Sequence, residues 1–209
     1  ASSDEIYITV IGKGGHGAAP DLAVDPVVIA AHLITALQQI VSRKASPRIP
    51  SVLTFGRVQA NGSTNIIPDR VELAGTFRTL DESWRAEALR LIENMAMQLT
   101  GSMGGKCELS ISRGYPCLEN NEALTERMRQ AAMEYVGPEN VVDLDVAMGS
   151  EDFAYYARLI PATFYRLGTR NEERGITSYV HTPTFDVDEE ALVIGSGLMA
   201  WLALKELGM

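Results

Sequence analysis

Apolar positions in the first half of the chain switch between a period of two and a period near 3.6. Glu5–Val10 (EIYITV) alternates and is rich in β-branched residues, which predicts a strand. A glycine-rich loop, GKGGHGAAP at residues 12–20, follows it. From Asp25 to Lys44 the apolar residues Val28, Ala31, Leu33, Leu37, Ile40 and Val41 fall at helical spacing. Asp25 suits the cap of that helix and Pro26 its first turn. Ser51–Ala60 reads as a second strand, residues 61–65 (NGSTN) as a turn, and Arg70–Arg78 as a third strand. A second helix is predicted over Asp81–Gly105 and a fourth strand over Lys106–Gly114. The order β-α-β-β-α-β predicts an α+β fold of ferredoxin-like type, with two helices on one face of an antiparallel sheet.

The pattern changes after Tyr115-Pro116. Asn121–Val136 reads as a helix, and residues 141–149 (VVDLDVAMG) as a short strand or extended run. Residues 150–160 (SEDFAYYARLI) predict a helix capped by Ser150, with acids in its first turn. Residues 162–168 (ATFYRLG) predict a buried strand, Arg170–Ser178 a polar loop, and Asp188–Leu207 a closing helix with an apolar body. Helix and strand alternate here, but the strands are too few for a self-contained sheet. The expected organisation is therefore a domain over 1–114 and the end of a larger domain over 115–209.

Composition narrows the function classes. The chain has 209 residues, 46% hydrophobic and 22% charged, with a formal net charge of −9. That balance is ordinary for a folded soluble protein, and the acidity argues against a nucleic-acid partner. No apolar run approaches the roughly 18 residues that cross a bilayer. Neither a membrane partner nor a signal segment is expected, and the reading is cytoplasmic. Cys107 and Cys117 make neither a disulfide framework nor a paired-cysteine zinc motif, and both read as thiols.

Several residues could carry chemistry. His16 sits in the glycine-rich loop, where it could act as acid, base, ligand or hydrogen-bond donor. His181 precedes Thr-Pro, a stiff turn that could hold an imidazole as a metal ligand; a surface or capping histidine is the plainer alternative. His32, between Ala31 and Leu33, reads as structural. Asn65 and Arg78 could together grip a carboxylate, or could be a turn asparagine and a strand-end arginine. Glu151 and Asp152 could supply carboxylates or simply suit a helix N-terminus. Metal-binding, phosphate-binding and nucleophile motifs such as HExxH, the Walker loop and GxSxG do not occur. Nothing here completes an active site alone.

Taken together, GKGGHGAAP with its following DPV helix, then STNIIPD, GTFR, GSEDFAYY and HTPTFD, resemble the aminoacylase-hippuricase metallopeptidases. The amidohydrolase branch of hippurate hydrolases and indoleacetyl-amino-acid hydrolases is the nearest in pattern. The motifs run in order across the chain, and the combination is specific although no single motif is. The resemblance implies a catalytic domain with a two-metal centre, zinc or manganese, interrupted by a ferredoxin-like lid that dimerises. Residues 1–114 would be the lid, and 115–209 the C-terminal part of the catalytic domain. His16 would be the lid histidine that stabilises the oxyanion, reaching the active site of the partner subunit in a homodimer. Asn65 and Arg78 would hold the substrate's carboxylate or nearby polar groups, and His181 would be a late metal ligand.

The same resemblance places the other metal ligands and the general-base glutamate before the lid, in a Cys-Gly-His-Asp-Gly-His stretch and a Glu-Glu pair. Neither is present. The chain then resembles the second half of a metal-dependent amidohydrolase that cleaves N-acyl amino acids or related conjugates. It is expected to be inactive alone and not to bind the metals tightly. The alternative is a non-catalytic dimerisation module.

Overall fold

The computed structural model describes residues 1–208, and the elements are numbered in chain order. They are β1 (Asp4–Ile11), β2 (Gly15–His16), α1 (Pro26–Gln39), β3 (Ser51–Ala60), β4 (Ile66–Ile67), β5 (Arg70–Thr79), α2 (Glu82–Ser102) and β6 (Lys106–Arg113). α3 (Glu122–Val136), the single turn α4 (Ala154–Ala157) and α5 (Glu190–Glu206) follow. The chain divides into two compact units: Ala1–Leu118 with Ala147–Tyr155, and Glu119–Val146 with Tyr156–Met209.

The first unit has the expected ferredoxin-like architecture. Its four strands are antiparallel in the order β3-β5-β1-β6. Alternation puts Ile6, Ile8 and Val10 of β1, and Val71, Leu73 and Phe77 of β5, on one face. There they meet Ile29, Leu33 and Leu37 of α1 and Ala88, Leu89, Ile92 and Ala96 of α2. Cys107 on β6 joins this core, and burial pushes its thiol pKa up. Asp25 caps α1 by accepting from the Val27 and Val28 amides, and Asp81 caps α2 by accepting from Trp84 N at 2.6 Å.

The predicted face of α1 is rotated. Val28, Ala31 and His32 are exposed, while Ile29, Ala30, Leu33 and Leu37 are buried. The predicted end of the helix, residues 40–44, is a π-helical turn that keeps Ile40 in the core. A β-bulge at Phe55/Arg57 re-aims β3 opposite Gly75.

One buried ion pair ties the ends of this unit together. Asp4 is fully buried, and Arg85 grips it in a fork: Nε to Oδ2 at 2.8 Å and Nη2 to Oδ1 at 2.7 Å. Arg85 also donates to the Gly114 carbonyl at 3.1 Å and to Glu82 at 3.2 Å. Glu82 in turn accepts from the Cys117 amide at 2.8 Å. The first residues of β1, the first turn of α2 and the exit from β6 thus share one hydrogen-bonded group.

The second unit packs α3 against α5 through Ala131, Leu198 and Leu202, with Met128 and Trp201 beside them. Trp201 Nε1 donates to the Ala131 carbonyl at 2.9 Å, and Lys205 lies over its ring at 4.6 Å. The segment 162–168 is not a strand. Asn120 bonds Phe164 through both its side-chain atoms, accepting from the amide at 2.8 Å and donating to the carbonyl at 2.9 Å. The side chain takes the place that a neighbouring strand would fill. The predicted helix over 150–160 shrinks to α4, because Ser150 accepts a hydrogen bond from Arg78 instead of capping.

The loop before α5 closes on Asp188, which is buried. Asp188 accepts from Asn171, from Arg174 at 2.9 Å and from the Glu190 amide at 3.2 Å. The Asn171 bond first, and then the Glu190 amide, hold its carboxyl below the usual carboxylate range. No described helix is long and apolar enough to cross a membrane.

Two stability predictions follow from these pairs. Arg85→Ala leaves Asp4 buried and unpaired, so it is expected to cost about 3–5 kcal/mol. Arg90→Ala breaks only an exposed, solvent-screened pair with Glu87 and is expected to leave the unfolding midpoint nearly unchanged. Urea unfolding of the two variants checks the contrast. Because the Asp188 pKa is depressed in the folded state, its contribution is present above the ordinary value near 4 and is lost as pH falls through the folded value. Protection of the Ile176 and Glu190 amides, taken relative to the intrinsic exchange rate at each pH, should therefore hold from about pH 5 to 7 and fall below about pH 4; Asp188→Asn should remove that acid dependence.

Candidate functional site

The loop after β1 is strapped down on two sides. Lys13 and Val24 exchange both backbone hydrogen bonds, at 2.8 and 2.9 Å. On the other side Gly12 N donates to the Asp69 carbonyl at 2.8 Å, and Gly14 N donates to Asp69 Oδ1 at 2.9 Å. These approaches need glycine. A Cβ on Gly12 would collide with the Val24 carbonyl, and one on Gly14 would lie 2.7 Å from the Ile67 carbonyl. Gly12 and Gly14 thus serve close packing of the loop against its neighbours.

This strapping forms a small ribbon of β2 against β4, with Gly15 opposite Ile67 and His16 opposite Ile66. Gly17 N then donates to the Asn65 carbonyl at 2.8 Å. Two of the sequence-predicted site residues, His16 and Asn65, therefore meet at one ribbon tip. Both are exposed. His16 Nδ1 accepts from the Ala18 amide at 3.0 Å, and Ala19 N closes the turn on the His16 carbonyl at 2.8 Å. Asn65 Oδ1 accepts from Ser63 Oγ at 3.0 Å.

Arg78 lies at the other end of β5. Eight residues separate it from Arg70, which spans about 26 Å of strand. Its guanidinium donates to the Met148 carbonyl at 3.0 Å and to Ser150 Oγ at 3.3 Å. Within one chain, then, Arg78 is not brought to Asn65. Glu151 is half-buried next to this contact, and its Oε1 accepts from the Asp152 amide at 3.0 Å.

His181 occupies the tip of the loop in the second unit. It is exposed, and with φ 65° it is the one non-glycine residue among those described in the left-handed region. Such backbone costs on the order of 1–3 kcal/mol and is held by its surroundings. Thr182 Oγ1 donates to the Tyr179 carbonyl at 2.8 Å, Phe185 N donates to the Thr182 carbonyl at 3.1 Å, and Ser178 and Thr184 share a hydroxyl bond at 2.8 Å. Among the described residues, no group of three or more His, Cys, Asp or Glu could hold a metal ion. His181 alone does not make a two-metal centre, so these residues do not by themselves fit the metals that the resemblance implies.

Sequence reasoning missed Asp69, Ser63 and the Ala18 amide, which position the ribbon. Asp69 carries the one faint signal: an acid after Pro68, at the exit of a turn and the entry of a strand. The other two act through contacts that no local pattern marks.

Residues 2–104 match the family model of the peptidase dimerisation domain. A thermostable carboxypeptidase of Saccharolobus solfataricus is 34% identical over 206 residues, covering 98% of this chain and 52% of the relative. An IAA-amino acid hydrolase of Arabidopsis thaliana is 34% identical over 214 residues, covering 99% and 48%. A crystal structure from Bacillus subtilis, described as a dinuclear metal binding peptidase from the M20 family, superposes with a TM-score of 0.72 at 30% identity. It covers all of this chain (100%) and 51% of that one. The chain spans about half the length of the curated relatives it matches. A ferredoxin-like unit with its glycine-strapped ribbon, matched over residues 2–104, is the dimerisation domain of M20 peptidases, and the chain is a member of that family related to its amidohydrolases.

Proposed function

We propose that this chain is the lid (1–114) and the C-terminal part of the catalytic domain (115–209) of an amidohydrolase that cleaves N-acyl amino acids or related conjugates. The observation that carries this reading is the meeting of His16 and Asn65 on a strapped ribbon inside the dimerisation-domain segment. The names of the relatives, a carboxypeptidase and an amino-acid-conjugate hydrolase, support the substrate class. In the reaction water adds to the amide carbonyl carbon, the C–N bond breaks, and a carboxylic acid and an amine leave. His16 would donate to the carbonyl oxygen as it gains charge; one such donor is worth about 2.7–4 kcal/mol. Asn65 and Arg78 would hold the carboxylate or polar groups of the substrate.

The Bacillus relative is described as dinuclear metal binding, and a divalent metal pair would by analogy supply the activated water in the whole enzyme. His181 is proposed as one ligand, with the other ligands and the general base contributed from outside these residues. The apolar character of α5 supports a larger body around this unit. Leu192, Val193, Met199 and Leu204 are exposed on a helix that buries Leu198 and Leu202, and helices apolar on all sides are normally enclosed. No nucleic-acid or membrane partner is proposed, and the setting is proposed as cytoplasmic.

The lid is proposed to form a homodimer through the free edge of β3. That edge carries ten residues with one charge, Arg57, and exposes Val52 and Val58. The opposite edge, β6, is blunted by Lys106, Glu108 and Arg113. Long edge strands with few charges pair with other strands, and a two-fold operator brings the same strand of a second copy to them. This edge also favours the second reading, a dimerisation module without catalysis of its own.

The two readings separate by assay. This chain with hippurate-type substrates and added manganese or zinc is expected to show no turnover. The chain extended by the preceding coding sequence is expected to hydrolyse them, with His16→Ala lowering kcat by about 100- to 1000-fold. Turnover by this chain that vanishes on His181→Ala, or no hydrolysis by the extended chain, contradicts the proposal. For the interface, light scattering should show a dimer that Val52→Lys with Val58→Lys converts to monomer. A monomeric parent chain, or a variant that stays dimeric, rejects the β3 edge.

A further inference from the structure

We infer that Asn61 is a site of spontaneous succinimide chemistry, and that the isoaspartate it yields remodels the turn that carries Asn65. Asn61-Gly62 is the one asparagine–glycine pair in the chain. It directly follows β3, and both residues are exposed. Among the described residues, no hydrogen bond engages the Asn61 side chain or the Gly62 amide. Side chain and next nitrogen are therefore free to meet. Gly62 also lacks the Cβ that would screen its nitrogen, and a Cβ there would lie 2.7 Å from the Ile66 carbonyl. The other asparagines are each restrained at the side chain or at the following amide. After Asn65 the Ile66 amide donates to the Ser63 carbonyl at 3.2 Å. Asn94 lies inside α2, where the next amide belongs to the helix ladder. The amide after Asn120 donates to the Ala162 carbonyl at 2.8 Å, and the amide after Asn140 to the Pro138 carbonyl at 3.3 Å. Asn121 caps α3, and Asn171 is held by Asp188 and the Arg174 amide.

In the reaction the Gly62 nitrogen attacks Cγ of Asn61 and a new N–C bond closes a five-membered imide. The Cγ–Nδ2 bond breaks, and ammonia leaves with the proton from the Gly62 N–H. Water then adds to one of the two imide carbonyls. Opening at Cγ leaves aspartate. Opening at the backbone carbonyl leaves isoaspartate, whose chain runs through Cγ and is longer by one carbon. Nothing is oxidised or reduced, and water is the one co-reactant. The extra carbon enters just before Ser63, and the new carboxylate adds a negative charge to the turn. Ser63 and Ile66 exchange both backbone hydrogen bonds at 3.2 Å, the long end of the usual range. Ser63 Oγ donates to Asn65 Oδ1 at 3.0 Å, and Ile66 stands opposite His16 in the ribbon. The lengthened turn pulls on these bonds first. The site lies outside the residues proposed for amide hydrolysis, and its chemistry does not depend on that reaction.

Peptide mass spectrometry on the full chain, aged in mildly alkaline buffer, tests the site without any activity measurement. Fragmentation that separates isoaspartate from aspartate is read at every asparagine. Asn61 should convert faster than all the others, and to more isoaspartate than aspartate. In water enriched in oxygen-18 the product should gain a single heavy oxygen. Asn61→Gln closes its ring far more slowly and should remove the signal. Because the loop leaves the pair unrestrained, the rate at Asn61 should be nearly the same in the folded chain and in guanidinium chloride. Absence of isoaspartate at Asn61, a rate no higher than at the other asparagines, or a rate that rises many-fold on unfolding overturns the site. For the consequence, 15N–1H spectra of the aged chain should show the Ser63 and Ile66 amide signals displaced. The Lys13 and Val24 amides, strapped on the other side of the loop, should stay in place. Unmoved Ser63 and Ile66 signals in a converted chain overturn the remodelling.

Discussion

The register of β1 against β5 is the constraint from which the site follows. Asp4 stands opposite Phe77 and Ile11 opposite Arg70, without a slip along eight pairs. Because the strands are antiparallel, the chain leaves β1 beside the point where it enters β5. The loop at 12–17 and the turn at 65–69 are therefore neighbours, and their amides and carbonyls pair into the small ribbon. The same register sends Arg78 to the far end of the sheet. A one-residue shift would also turn Ile6, Ile8 and Val10 away from the helices, so the core and the site hold the same register.

The Asp4–Arg85 pair anchors the opposite end of β1. Buried ion pairs contribute little net stability over apolar replacements, yet losing one partner is expensive. Here the fork reaches the Gly114 carbonyl and, through Glu82, the Cys117 amide. Its geometry fixes where the chain enters the first unit and where it leaves β6. One end of the sheet is thus set by a charged group in the core, and the other end by glycine amides at its rim.

Legibility in the sequence tracked how local each cause was. The alternation in EIYITV and RVELAGTFR, and the caps Asp25 and Asp81, gave the strands and helices of the first unit, because side-chain period and capping are local. The apolar face of α1 is shifted: Val28 and Ala31 satisfy helical spacing, but Ile29 and Ala30 face the sheet, and packing decides between adjacent stripes. Residues 162–168 have strand composition but lack a strand partner, and Asn120 stands in. Ser150 has the chemistry of a cap, yet a distant arginine takes its oxygen. For the site, the residue types and their order pointed to His16, Asn65, Arg78 and His181. Their placement did not follow from the sequence, because the ribbon arises from pairing across about fifty residues.

The separation of the two ends of the sheet is the claim on which the functional reading turns, and a pulsed electron-spin distance measures it directly. Spin labels would be placed at His16→Cys and Arg78→Cys in a chain whose Cys107 and Cys117 are replaced by alanine. The labelled chain would be diluted in excess unlabelled chain, so that only distances within one molecule are read. The register predicts a separation above about 25 Å, from the rise of eight strand residues. A distance near or below about 15 Å, less than five strand residues can span, would put Arg78 beside the ribbon in one chain and contradict the account.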